Sequence, residues 1–215
     1  MTKGAVSDDA VLLEVLTRAR TLGFLGPGPV EVHVRHSRAF ASAYREFAGD
    51  FAPVNSIDIG SGGGVPGLVL AHDWPDTTST LVDSMVRRTS VLLSAVSELG
   101  MSSRCQVVTD RVETLSRSVV RESASLVTAR GFAGPAISAE CGAGLVAVGG
   151  WLLVSEPPDP QPPEGRWDAS ALATLGFAPP RVASSEFRIV GLRKVAVLDT
   201  RFPRRVGLPA KSPLW

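Results

Sequence analysis

The chain has 215 residues, 44% of them hydrophobic and 20% charged, with 22 Lys and Arg against 21 Asp and Glu. That is enough apolar sequence for the core of one domain, and a formal charge of +1 excludes a polycation that coats nucleic acid at large, so any such site is a local patch. Its two cysteines, Cys105 and Cys141, have no metal-ligand spacing and form no disulfide framework, which suits a reducing compartment and gives no reason to expect a metal.

The N-terminal stretch MTKGAVSDDAVLLEVLTRAR lacks the basic start and unbroken apolar run of a signal peptide. Charges interrupt every later apolar run before it reaches membrane-spanning length, so the expected location is the cytoplasm, away from any membrane. Ser7 or Asp8 can cap a first helix, in which Leu12, Val15, Leu16, Ala19 and Leu22 recur at helical spacing until Gly23 stops it. After the turn GPGP, Pro29 opens a second helix through Phe47, with Val34, Ala41, Tyr44 and Ala48 on one face and His36 on the same segment. Residues 1–50 therefore read as an N-terminal helical cap.

From Val54 the pattern becomes short apolar runs alternating with helical ones, which predicts parallel strands joined by crossover helices. VNSIDI, STLVD, CQVVTD, SLVTA and GWLLVS read as five strands, with helices starting near Pro66, Ser84, Val112 and Pro135. The second of these helices is the clearest, with Met85, Leu92, Val96 and Leu99 on one stripe and Gly100 as its stop. PPDPQPPEGR is too proline-rich for helix or central strand and reads as a stiff exposed loop. EFRIVG and KVAVLD then read as two final antiparallel strands, completing a doubly wound, mostly parallel α/β sheet of seven strands over residues 51–215.

In such a sheet a ligand sits beyond the carboxyl ends of the strands, and the first strand-to-helix turn must let backbone approach it. That turn is IDIGSGGGVPG. Gly62, Gly64 and Gly67 satisfy the dinucleotide pattern G-x-G-x-x-G. Asp58, Gly60, Gly62 and Gly64 satisfy D-x-G-x-G-x-G, the pattern of S-adenosylmethionine-dependent methyltransferases. The apolar run ends at Ile59, so Gly60 is the first turn glycine, which supports the second register. Asp58 can hold the turn or approach the cofactor's amino-acid part. Asp83, ending the second strand, is placed to accept hydrogen bonds from ribose hydroxyls, a role common to both cofactors.

DIGSGGGVPG, LVDSMVRRTSVLLSAVSELG, TDRVETL, VTARGFA and the tail FPRRVGLPAKSPL together resemble the bacterial 16S ribosomal RNA guanine-N7 methyltransferase family, also called glucose-inhibited division protein B. The resemblance implies a class I methyltransferase fold with S-adenosylmethionine as cofactor and ribosomal RNA or the small-subunit particle as partner. It places Gly60 and Val65 in the cofactor pocket, Asp83 at the ribose, Val112 and Glu113 beside the adenine, and Arg130 at the mouth of the site. The sequence departs from the family in its short N-terminal part and in RHSRAF, which keeps Arg35 and His36 but loses an acid. Val65 stands where the family has an aromatic residue or leucine, and Ser155 and Glu156 stand where it has Lys-Gly. A diverged paralogue acting on another RNA or a small molecule, a cofactor-binding module without catalysis, and an NAD-dependent dehydrogenase stay open as alternatives.

The prolines of SEPPD follow the fifth strand, whereas the D/N-P-P-Y signature of amino-group methyltransferases belongs after the fourth. They read as a loop. Guanine N7 has a lone pair and no proton to remove, so methyl transfer to it needs no general base. Arg130 is then a positioning group, and His36 reads as a helix-surface histidine. Arg201, Arg204, Arg205 and Lys211, adjoining Arg193 and Lys194, form the candidate RNA-binding patch, which Arg87 and Arg88 can extend. Glu156 is expected to face the RNA in place of the family's lysine. The chain is expected to act as a monomer.

Overall fold

The computed structural model describes residues 8–157 and 163–215. Helix α1 (Asp8–Thr21) buries Leu12, Val15, Leu16 and Ala19 at the expected spacing, while Leu22 lies beyond its end and is exposed. The expected cap at Ser7 lies outside the described residues. Helix α2 (Val30–Ala48) follows Pro29 and buries Val30, Val34, Phe40 and Tyr44.

Seven strands form one sheet: β1 (Asn55–Ile59), β2 (Thr78–Asp83), β3 (Cys105–Thr109), β4 (Ala124–Arg130), β5 (Val146–Ser155), β6 (Arg181–Val182) and β7 (Ile189–Arg193). Their order is β3-β2-β1-β4-β5-β7-β6, with β7 antiparallel to both neighbours and the other pairings parallel. The intervening helices are α3 (Gly67–Asp73), α4 (Val86–Glu98), α5 (Val112–Leu115) and α6 (Pro135–Ala143). The short helices α7 (Pro163–Arg166), α8 (Ala169–Thr174) and α9 (Leu208–Lys211) follow β5. Helix α2 packs against α3, β5 and β7, and α1 packs against α2 and α4. The chain runs outward from β1 in one direction through β2 and β3 and in the other through β4 and β5. The crevice between β1 and β4 is thus the switch point at which such folds bind ligands.

Two expectations for the last third are corrected. KVAVLD is not a strand: only Lys194 bridges, to Phe177, and β7 finds its outer partner upstream in Arg181 and Val182. The alternation in KVAVLD runs opposite to the core, with Val195 and Val197 exposed while Lys194 is fully buried on Glu122 (3.1 Å) and the Ala143 carbonyl (2.7 Å). Lys194 therefore takes no part in a surface patch. PPDPQPPEGR ends in α7, whose first residue Pro163 lacks only an N–H that a first helical turn leaves unused. Residues 158–162 of that stretch lie outside the described residues.

Candidate active site

The turn after β1 is stitched to β2 by its own backbone. Ser61 N–H donates to the Val82 carbonyl (2.9 Å), Ser61 Oγ accepts from Val82 N–H (3.1 Å), and Gly64 N–H donates to the Ser61 carbonyl (2.7 Å). Gly60 adopts φ +69, and a Cβ there would stand 2.7 Å from the Phe132 ring; one on Gly63 would stand 2.5 Å from Leu25 and 2.8 Å from the Phe24 carbonyl. Only glycine admits this conformation and this approach together.

Asp83 ends β2 with both carboxylate oxygens facing the turn and the next helix. Oδ2 accepts from Gly62 N–H (3.0 Å) and from Arg88 Nη1 (3.4 Å), and Oδ1 accepts from Met85 N–H (2.9 Å). The acid therefore braces the glycine turn, and its remaining lone pairs are available to hydroxyl donors.

Two adjoining cavities open at the carboxyl ends of the strands and share Gly60, Arg88 and Gly131. One, of about 260 Å³, is lined by Asp83, Val112 and Glu113. The other, of about 280 Å³, is lined by Gly62, Val65 and Arg130, with Phe24 and Leu25 of the turn before α2 across from them. Gly60, Gly62, Val65, Asp83, Val112, Glu113 and Arg130 are thus brought to one groove. Asp58 and Gly64 line neither cavity. Gly64 packs on Leu68 and Leu92, and Asp58 is buried beneath the turn.

Asp58 Oδ1 accepts from the Thr128 hydroxyl (2.6 Å) on the neighbouring strand. Burial pushes its carboxyl up from 3.8 to about 6, against the pull of hydrogen bonds from Thr128, Ser61 and the Gly67 amide and of the Arg130 charge. A folded value above the unfolded one means that its contribution to stability is complete below pH 3.8 and is lost as pH rises through about 6. Asp58→Asn imitates the uncharged form. Denaturant titrations should therefore show Asp58→Asn gaining on the wild type by up to about 3 kcal/mol between about pH 4 and 8. A difference that stays constant across that range would contradict the assignment.

Glu113 is buried, and Oε1 accepts from Gly207 N–H (3.0 Å) and Arg111 Nη2 (3.4 Å). Burial raises its carboxyl, but the Gly207 amide and Arg111 outweigh that and hold it below the usual carboxylate range. Glu113 thus ties α5 to the C-terminal tail, and Ala210 of that tail lines the first cavity.

Arg130 ends β4. Its Nη2 donates to His33 Nδ1 of α2 (2.6 Å), while its Nη1 is buried without a partner, as is Arg88 Nε. His33 was not singled out in the sequence; its spacing of three from His36 on one helix was the available signal. His36 is half-buried rather than a surface residue. It stacks on Phe187 with ring centroids 4.2 Å apart and shares a hydrogen bond with Ser155 Oγ (2.8 Å), and burial with the Arg130 charge lowers it to about 4. It is a neutral side chain at neutral pH.

The basic tail is divided. Arg201, Arg205 and Lys211 are exposed, as is Arg87. Arg204 instead turns inward, with Nη2 donating to Glu140 Oε2 (2.7 Å) and to the Ser212 carbonyl (2.8 Å). Glu156 also turns inward. Its carboxylate accepts from Arg166 Nε (2.7 Å), Trp167 Nε1 (2.9 Å) and Arg188 Nε (2.9 Å), with 2% of the side chain exposed. The expectation that this acid faces RNA is therefore corrected. Its cationic neighbours, one ten residues and one thirty-two residues further along the chain, enclose it.

The groove suits an adenosine-bearing zwitterion. It offers an acid at the end of β2, a side-chain-free turn beneath, and the charges of Arg88 and Arg130 for an anionic end. Among the described residues no helix is long and apolar enough to cross a membrane. A crystal structure of a putative S-adenosyl-L-methionine-dependent methyltransferase from Methanococcus maripaludis shares the fold, with a TM-score of 0.57 at 15% identity over 91% of this chain and 98% of that one. The ribosomal RNA small subunit methyltransferase G of Syntrophomonas wolfei is 33% identical over 194 residues, which is 87% of each chain, and that of Chloroflexus aggregans is 35% identical over 76% of this chain and 71% of its own. The family model described as rRNA small subunit methyltransferase G matches residues 29–156. With the glycine turn, Asp83 and Arg130 all inside that match, the chain belongs to the rRNA small subunit methyltransferase G family.

Proposed function

We propose that this chain methylates guanine N7 in small-subunit ribosomal RNA, at a groove in which Asp83 holds the ribose of S-adenosylmethionine, Val112 and Glu113 flank its adenine, and the turn Gly60–Val65 with Arg130 holds its amino-acid part. The observation that carries the reading is the convergence of these residues on two joined cavities at the switch point of the sheet. S-adenosylmethionine supplies an electrophilic methyl group on a sulfonium. The chain's own contribution is alignment, which is worth up to about 7–11 kcal/mol of barrier. No residue has to remove a proton, which agrees with a groove whose nearest histidine, His33, has its Nδ1 taken up by Arg130, while His36 is bonded to Ser155. Exposed Arg201, Arg205, Lys211 and Arg87 supply cations for phosphates, a term that weakens with salt. Location in the cytoplasm, the monomeric state and the division into a cap (1–50) and a catalytic domain (51–215) are part of the same reading.

Mass mapping of small-subunit ribosomal RNA from cells with and without the protein tests it: one N7-methylguanine is expected to disappear, and its persistence would refute the assignment. Asp83→Ala should not restore the mark. By calorimetry it should bind S-adenosylmethionine and S-adenosylhomocysteine about tenfold or more weaker, and equally so, because ribose contacts do not sense the methyl group. A loss confined to one of the two ligands would contradict the role of Asp83.

A further inference from the structure

The guanidinium of Arg130 is held by a side chain from outside the sheet. Arginine can only donate, so His33 Nδ1, 2.6 Å from Arg130 Nη2, must be the acceptor, and the ring proton must sit on Nε2. His33 Nε2 lies 3.1 Å from the Gly26 carbonyl, which can only accept. Both contacts thus require one neutral tautomer, and burial together with the Arg130 charge lowers the pKa of His33 and keeps it neutral. The relay runs from the turn before α2, through His33, to Arg130. That same turn contributes Phe24, Leu25 and Gly26 to the cavity that Arg130 lines.

With Nη2 fixed in this way, Arg130 keeps a buried, unpartnered Nη1, and Arg88, which lines the same cavity, keeps a buried, unpartnered Nε. These atoms are sealed from solvent, and Asp58 Oδ2 beneath the turn is likewise unpartnered; what reaches the cavity is the charge of two arginines that line it, which suits an anionic group there. We infer that His33 is a positioning residue for Arg130, holding its guanidinium at the cavity wall so that its charge meets the carboxylate of the cofactor's amino-acid part. This rests on the proposed placement of S-adenosylmethionine in the groove and adds to it a residue of α2 that the sheet itself does not supply.

The test compares ligands that differ in that carboxylate. S-adenosylhomocysteine carries it, and 5′-methylthioadenosine lacks the whole amino-acid end. By calorimetry, His33→Leu is expected to bind S-adenosylhomocysteine about tenfold weaker while its affinity for 5′-methylthioadenosine stays within about twofold of wild type. His33→Asn, whose Oδ1 can take the place of Nδ1 but cannot reach Gly26, should recover most of the loss. His33→Gln, which can reach Gly26 but not Arg130, should not. In an Arg130→Met background, His33→Leu should cost nothing further. Thermal melts of each variant establish that it is folded.

Equal losses for both ligands would make His33 merely structural and overturn the inference, as would an unchanged affinity in His33→Leu or a failure of His33→Asn to rescue. If Arg130→Met weakens S-adenosylhomocysteine selectively while His33→Leu does not, the inference about His33 fails and the cofactor placement stands. If wild type binds both ligands alike and Arg130→Met changes neither, the placement itself fails and the inference falls with it, leaving Arg130 to face another anion such as an RNA phosphate.

Discussion

Arg204→Met is expected to lower the stability of the folded protein by about 3–5 kcal/mol, although arginine-to-methionine changes in a basic tail are ordinarily almost silent. The reason is Glu140. Its side chain is fully buried on α6, and Arg204 meets both of its oxygens: the backbone N–H and Nε of Arg204 reach Oε1 at 2.7 and 2.9 Å, and Nη2 reaches Oε2 at 2.7 Å. Removing the guanidinium leaves a carboxylate in the interior with one backbone N–H, which is the expensive way to break a buried ion pair. Removing both charges is much milder, so Glu140→Gln combined with Arg204→Met should regain a large part of the loss. Denaturant unfolding of the two singles and the double decides the matter. Additive losses would show that the two residues are not coupled. A second consequence follows from Ala210, which lines the cavity assigned to adenine. A tail loosened at Arg204 should also bind S-adenosylhomocysteine less well, with the deficit concentrated in the adenosine part.

The same pair explains what could and could not be read from the chain of letters. The strand–glycine–helix unit and Asp83 were legible because their determinants are local. An apolar run ending at Ile59 sets the strand, Gly60 supplies the positive φ, and the acid lies one strand further on, hydrogen-bonded to the Gly62 amide. The same holds for the centre of α4, where Leu92 and Val96 of the expected stripe are buried and the stop, Gly100, has φ +66, although Met85 precedes the helix and is exposed and Leu99 is only partly buried. Charges are different. Whether a cation faces phosphate or an acid of its own chain depends on partners dozens of residues away: Glu140 for Arg204, Glu122 for Lys194, Asp73 for Arg38. A cluster of cations in sequence therefore overstates the cationic surface. KVAVLD misleads for a related reason. Period-two alternation marks a strand only if its apolar face is the buried one, and here the buried positions are Lys194 and Leu198 while two valines face water. His33 went unread because its importance lies in a contact with Arg130, ninety-seven positions later.

Glu156→Lys carries the sharpest reversal. If the acid faced RNA, a lysine there would strengthen RNA binding and steepen its salt dependence by about one phosphate's worth. The structure predicts the opposite kind of effect. Glu156 lies just past the end of β5, and its two oxygens hold Arg166 and Arg188 from opposite sides with Trp167 as a third donor, inside a region where only 2% of its side chain meets water. A lysine would set an ammonium between two guanidinium groups, removing every acceptor at once and adding like-charge repulsion in a poorly hydrated space, for a loss of about 3–5 kcal/mol or more. Glu156→Gln keeps the shape and one acceptor oxygen, so its cost should be smaller, about 1–3 kcal/mol. The damage should be local, because the segment clamped by Glu156 carries α7, and Trp215 donates from its indole to the Arg166 carbonyl at 2.9 Å. The fluorescence of Trp167 and Trp215 in Glu156→Lys should therefore shift toward that of exposed indole, at temperatures where the groove around Asp83 still binds S-adenosylhomocysteine. A Glu156→Lys protein that melts with the wild type, keeps its fluorescence and binds a ribosomal RNA fragment more tightly would show that this side chain points outward after all.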